Sequence, residues 1–282
     1  MIVLVTGASG QLGQALQSIV GEYAEIDFRF FNSSELNITE LEQCKAIFAK
    51  VKPDYCINTA AYTAVDKAES EPEKARLINV TGVENLAKVC KEFDTVLLHI
   101  STDFVFDGKA SKPYTEEDLP NPTGVYGQTK LDGEKVIQAI WNKHFIIRTS
   151  WVYSQFGNNF MKTMLRLGAE RDSLSVVNDQ IGTPTNAVDL AKVLLKIITS
   201  CHAELVLASH FGIYNFSNEG QCSWYDFAKK IFEINKIEID LQPIPTSSYP
   251  TPAKRPNYSV LDKSKVKNTF GVEVKSWEDS TI

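Results

Sequence analysis

Tyr126 and Lys130 stand four residues apart in Val125-Tyr-Gly-Gln-Thr-Lys130. A phenol can donate a proton, and an ammonium beside it favours the phenolate and so eases the transfer. Upstream, the apolar run Thr95-Val-Leu-Leu-His-Ile100 delivers Ser101-Thr102. In an open parallel sheet, ligands bind at the carboxyl ends of strands. The Thr102 hydroxyl can therefore hold a carbonyl in the crevice that Tyr126 faces. The spacing alone is a weak signal, because residues i and i+4 share a helix face by default. A second copy, Tyr225…Lys229, lies in the amphipathic segment Ser223–Phe232 and reads as structural.

A dinucleotide site is the natural companion of such a pair. The chain opens with an apolar strand and then Gly7-Ala-Ser-Gly10-Gln-Leu-Gly13 at the start of a helix. Glycines let the backbone approach a pyrophosphate, and a helix N-terminus supplies free N–H groups and a positive dipole end. The strand–turn–helix context makes Gly7, Gly10, Gln11, Leu12 and Gly13 candidate cofactor contacts. Asn58-Thr-Ala60-Ala61 ends the third strand with small residues. There Ala60 and Ala61 leave room for the cofactor's ribose and pyrophosphate. The second strand decides the cofactor's type. Asp27 comes too early in it, and it ends at Asn32-Ser33-Ser34 with no carboxylate to repel a 2′-phosphate. Asn32 and Ser33 are thus candidate contacts for NADPH, with NADH also usable. Arg29 could reach the phosphate, although a strand-interior arginine more often caps a sheet edge.

The elements needed to position these groups alternate along the chain. Apolar runs at Ile2–Thr6, Glu25–Phe31, Asp54–Asn58, Thr95–Ile100 and His144–Arg148 read as strands. Helical patterns at Gln11–Val20, Glu40–Lys50, Pro72–Lys91 and Tyr126–Ile140 separate them. Repeated βα units predict an α/β fold, a Rossmann-type doubly wound parallel sheet over residues 1–150. Residues 151–282 predict a smaller C-terminal α/β substrate domain, and 183–200 are a candidate to return to the sheet. Helices are expected at Asn159–Glu170, Ala187–Ser200 and from Ser223, and strands at Leu174–Asn178 and Gly212–Phe216. Gln242–Pro256 reads as a polar, proline-rich stretch. The loop Asp103–Gly124 is long enough to predict a lid.

Composition removes several alternatives. The 282 residues, 43% hydrophobic, suffice for a sizeable core. A net charge of −6 with dispersed basic residues argues against nucleic acid and anionic membranes. No apolar run approaches a bilayer span, and Met1–Val5 reads as strand rather than signal peptide. The five cysteines are odd in number, scattered and without Cys-x-x-Cys spacing, which predicts a reduced, cytoplasmic protein. The four histidines show no metal spacing, so no metal site is expected.

Taken with the segments Ala60–Glu69, Ser101–Phe106, Val125–Glu134, Arg148–Tyr153, Asn158–Met161, Asn178–Thr185, Pro252–Pro256 and Ser259–Asp262, the glycine loop resembles that of the extended short-chain dehydrogenase/reductases. Within them the whole chain to about Lys265 resembles the dTDP-4-dehydrorhamnose reductase family. The block from Arg148 to Thr185 carries most of the specificity; the glycine loop and the Tyr/Lys pair are common to many relatives. The resemblance implies a catalytic set of Thr102, Tyr126 and Lys130, with Lys130 also holding the nicotinamide ribose. It implies that Trp151, Asn159, Gln180 and Thr183 border a dTDP-sugar, and that NADPH reduces the 4-keto group of dTDP-4-dehydro-L-rhamnose in dTDP-rhamnose biosynthesis. Arg255 is either a diphosphate contact or a salt-bridge partner. A monomer or homodimer is expected. Some relatives bridge a dimer with magnesium through a glutamate at the position of Ala15, which argues against that bridge here.

Two other readings stay open. One is an epimerase or dehydratase of nucleotide sugars on the same fold; dehydratases carry Asp-Glu after the strand-end threonine, whereas Asp103-Phe104 follows Thr102 here. The other is a non-catalytic NADP-binding regulatory subunit of the methionine adenosyltransferase type.

Overall fold

Five apolar runs become parallel strands because each can bury both faces between helices. In the computed structural model, which describes residues 1–203 and 210–282, they are Ile2–Thr6, Asp27–Phe31, Tyr55–Asn58, Val96–Thr102 and His144–Thr149. A sixth, Gly212–Asn215, pairs in parallel with His144–Thr149. The spatial order is Gly212–Asn215, His144–Thr149, Val96–Thr102, Tyr55–Asn58, Ile2–Thr6, Asp27–Phe31. The first strand thus lies between the second and the third, and the order reverses there. This is a Rossmann-type doubly wound sheet with its switch point above the carboxyl ends of Ile2–Thr6 and Tyr55–Asn58.

The sheet is packed on both faces. On one, Gln11–Ile19 and Ala187–Ala203 close over Val3, Val5, Ile57, Leu98 and Ile147. On the other, Leu41–Val51 and Val83–Glu92 cover Leu4, Cys56, Leu97 and Ile146. Ala15 is fully buried in the first of these cores. A third core joins Tyr153, Met161, Met164, Leu174, Phe227, Ile231 and Trp277, beyond the sheet. All five cysteines are buried and none is in a disulfide. Among the described residues no helix is long and apolar enough to cross a membrane.

Three elements differ from the sequence expectation. Gly212–Asn215 joins the main sheet, which the βα rhythm could not indicate because its crossover carries no simple repeat. The expected helix Pro72–Lys91 is interrupted by a π-helical turn at Leu77–Gly82 between Pro72–Arg76 and Val83–Glu92. Its Asn79 accepts from the Tyr62 N–H and donates to Tyr62 O and Thr129 Oγ1. The bulge thereby ties the loop after the third strand to the helix that carries Tyr126, a usual reason for a π turn. Finally, the proline-rich stretch contributes Asp240–Ile244, a strand parallel to Ser173–Val177. Pro243 disguised it, since proline is confined to strands whose N–H need not pair.

Candidate active site

Tyr126 and Lys130 lie on the helix Val125–Ile140, and Thr102 ends the strand Val96–Thr102. Gly127 sets the distance between helix and strand end: a Cβ there would come within 2.2 Å of Phe104 O. That close approach brings the Tyr126 ring edge-on to Phe104, with centroids 5.6 Å apart. Thr102 Oγ1 donates to Asp103 Oδ1 at 3.0 Å and accepts from Phe104 N–H at 3.2 Å. Burial pushes the Tyr126 phenol up to about 12, with the Thr102 hydroxyl pulling the other way. This corrects the expectation that Lys130 lowers it. Lys130 Nζ donates to Ile100 O at 2.6 Å and lies 3.3 Å from His99 Nε2. Burial brings Lys130 itself down to about 8, opposed by the Glu134 carboxylate.

Under these groups lies a buried ionic network. Arg148 grips Glu134 through Nε and Nη2 at 3.0 and 2.7 Å, and Ser101 Oγ donates to the same carboxylate. Both charged side chains are almost wholly buried. Glu134 is one helical turn beyond Lys130, so Ser101 ties the helix to the strand that ends in Thr102 and Arg148 ties it to the neighbouring strand His144–Thr149.

The three groups open into a cavity of about 670 Å³. Its floor includes Gly10, Gln11 and Leu12, where the helix Gln11–Ile19 starts with no side-chain cap and no acid in its first turn. Gly7 has φ +68°, and a Cβ on Gly13 would come within 2.5 Å of Gly7 O. Uncapped N–H groups, bare backbone and no opposing charge are what a pyrophosphate needs. Gly7 and Gly13 shape this turn from behind without lining the cavity. Ala61 lines it, and Ala60 sits just beneath with its N–H on Asn58 Oδ1.

The second-strand end departs from its sequence reading. Asn32 Oδ1 caps the turn by accepting from Ser34 and Glu35 N–H, and Glu35 folds back to accept from Asn32 N–H at 2.9 Å. A carboxylate therefore does stand at that end, brought there by the turn. Neither Asn32 nor Ser33 lines the cavity, and Arg29 is paired with Asp27 on the exposed sheet edge.

At the opposite wall the cavity meets Trp151, Asn159, Gln180 and Arg255. Trp151, held at φ +47°, stacks on Trp224 at 3.6 Å. Asn159 caps its own helix and donates to Gln11 Oε1 at 2.8 Å, which joins this wall to the glycine loop. Gln180 donates to Thr246 Oγ1 at 3.0 Å. Arg255 forks onto Asp66 with two 2.7 Å contacts while still bordering the cavity. Thr183 is a correction: it is fully buried, donates to Gly220 O, and does not line the cavity. Trp224 and Phe160 line the wall and were missed, because a helix-start aromatic carries no motif. Tyr225 and Lys229 do not line it.

The loop expected to form a lid does not lie over the cavity. Of the loop Asp103–Gly124 only Asp103 and Phe104 reach the cavity. The middle is pinned elsewhere: Tyr114 N–H donates to Val260 O, Tyr114 O accepts from Asp262 and Asn215, and Glu116 accepts from Asn215 N–H.

A family model described as RmlD substrate binding domain matches residues 1–281. The dTDP-4-dehydrorhamnose reductase of Aggregatibacter actinomycetemcomitans is 42% identical over 285 residues, covering 98% of this chain and 95% of the relative. The chain belongs to the dTDP-4-dehydrorhamnose reductase family. A crystal structure of such a reductase from Clostridium acetobutylicum superposes with a TM-score of 0.93 at 42% identity, covering 99% of this chain and 96% of that one. A second, from Bacillus anthracis in complex with NADP, gives 0.93 at 40% identity with the same coverage. In this family setting the Tyr126 cavity is the candidate reductase centre.

Proposed function

We propose that this protein reduces the 4-keto group of dTDP-4-dehydro-L-rhamnose to dTDP-L-rhamnose, in dTDP-rhamnose biosynthesis, with NADPH and less readily with NADH. The observation that carries the reading is the convergence of Thr102, Tyr126 and Lys130 on one cavity with an uncapped helix N-terminus. The cofactor supplies a hydride to the carbonyl carbon. The backbone at Gly10–Leu12 would hold its diphosphate, and Lys130 its nicotinamide ribose. The Thr102 hydroxyl orients the carbonyl oxygen. Tyr126 donates the proton that the oxygen acquires, and its raised affinity keeps the phenol in the acid form at working pH. Trp151, Trp224 and Phe160 offer apolar faces to the nucleotide sugar, while Asn159, Gln180 and Arg255 are the polar groups at that wall. Residues 1–150, with Ala187–Ala203 and Gly212–Asn215 on the same sheet, form the cofactor-binding part, and the rest of 151–282 shapes the sugar end. The protein works in the cytoplasm, in keeping with its buried reduced cysteines. It acts as a monomer or homodimer without a magnesium bridge through Ala15.

The direct test is NADPH oxidation on addition of dTDP-4-dehydro-L-rhamnose, with the GDP and UDP 4-ketosugars as controls. Rapid consumption with the dTDP sugar is expected. Binding of NADPH with no turnover of any ketosugar would overturn the reading.

A further inference from the structure

His99 sits inside the fourth strand, fully buried, between two groups whose hydrogen bonds decide its proton. On one side Asn58 Nδ2 lies 3.0 Å from His99 Nδ1. On the other, His99 Nε2 lies 3.3 Å from Lys130 Nζ. The Asn58 amide has one orientation. The Ala60 N–H can only donate, and it meets Asn58 Oδ1 at 3.2 Å; Thr6 Oγ1 donates to the same oxygen at 2.6 Å. The NH₂ end therefore faces the histidine, and NH₂ can only donate. His99 Nδ1 must accept, so a neutral ring carries its proton on Nε2.

That proton points at Lys130. An ammonium has three donors and no acceptor, so it opposes an N–H. A neutral amine accepts from His99 Nε2–H and still donates to Ile100 O. We propose that His99 is a positioning residue for Lys130: locked as the Nε2–H tautomer by Asn58, Ala60 and Thr6, it turns a donor toward the lysine and favours the uncharged amine.

The other charged and titratable groups around the pair do not supply this effect. Glu134, on the same helix, favours the ammonium, but Arg148 on the fifth strand already engages both its oxygens. Asp103 acts on Tyr126, whose affinity for its proton it raises, and not on Lys130. His144, on the fifth strand, and Lys130 both push His99 toward the neutral ring, and burial does so most. Lys130, at about 8, then lies close to neutral pH. A lysine near its midpoint can lose and regain a proton during turnover, whereas one at its ordinary value near 10.4 would keep it. This role for Lys130 rests on the reductase reading; the tautomer and the titration do not.

The test uses the full-length protein labelled with ¹⁵N on histidine and ¹³C on lysine. Two-bond imidazole correlations, assigned with His99→Gln, should show His99 protonated on Nε2 and neutral at pH 7. The Lys130 ¹³Cε resonance, assigned with Lys130→Arg, should titrate near 8. Asn58→Asp replaces the donor with a carboxylate, so the ring proton should move to Nδ1 and the Lys130 midpoint should rise by at least tenfold in proton affinity. If a variant fails to fold, the wild-type tautomer still decides. A wild-type Nδ1–H ring, an imidazolium at pH 7, or a lysine midpoint that stays put after the tautomer has flipped would each overturn the proposal. None of these readouts uses NADPH or a ketosugar, so the reductase assignment stands or falls separately.

Discussion

At the scale of single residues, the proposed acid Tyr126 and Asp103 beside Thr102 make the sharpest claims. Tyr126→Phe keeps the ring against Phe104 and removes the proton. Turnover should fall by about 10²–10⁴-fold, the usual worth of a positioned acid, while melting temperature and NADPH affinity stay near wild type. Tyr225→Phe should leave turnover within a few-fold, since that ring lies outside the cavity. Asp103 is buried, and burial pushes its carboxyl up to about 6 against the pull of the Ser259 and Thr102 hydroxyls beside it. The folded state therefore holds a proton on Asp103 between roughly pH 4 and 6 that the unfolded chain releases. Stability from this group falls as pH rises through that window and stays low above it. Asp103→Asn should raise the melting temperature by a few degrees at pH 8 and change it little at pH 4. Melts of both proteins at the two pH values check this; an equal shift at both would contradict the burial argument.

At the scale of elements, two contacts decide whether correct residues face the right way. Gly127 lets the helix Val125–Ile140 touch the Phe104 carbonyl. Gly127→Ala must push the helix outward, and Tyr126 with it. A displacement of this order costs roughly 10²-fold in turnover, with only a modest loss of NADPH affinity by fluorescence titration. At the second-strand end, Glu35 folds back on Asn32. Removing its charge with Glu35→Gln should favour the 2′-phosphate cofactor, raising the NADPH/NADH ratio of kcat/KM by roughly fivefold. An unchanged ratio would place Glu35 beyond the cofactor's reach.

At the scale of the whole molecule, the cavity belongs to neither half alone. Its glycine loop and its opposite wall are joined through Asn159 Nδ2 on Gln11 Oε1, and Gly157 packs its backbone on the same glutamine. Asn159→Ala should cost about 1 kcal/mol from the lost helix cap. It should also weaken cofactor and nucleotide-sugar binding together, by about tenfold each, in calorimetric titrations. Loss of stability with both affinities intact would make Asn159 a cap and nothing more.

The strand–glycine–helix start, the five parallel strands and the placing of Thr102, Tyr126 and Lys130 on one cavity could be read from the chain, because each rests on local period, on a motif or on a strand's carboxyl end. Side chains that face the core repeat at fixed intervals, and glycines that approach backbone must be glycine. What the sequence left undetermined depends on residues far apart in the chain. The Glu35 carboxylate reaches the strand end through a turn, Trp224 stacks on Trp151 from a distant helix, Thr183 points into protein, and Asp103–Gly124 is pinned by Asn215 and Val260–Asp262. Proton affinities followed the same division. A Tyr/Lys spacing suggested a lowered phenol, yet burial of Tyr126, with the Asp103 carboxylate beside it, reverses the sign. Desolvation and hydrogen-bond direction exist only once distant strands and helices have closed around a group, so only the tertiary structure decided them.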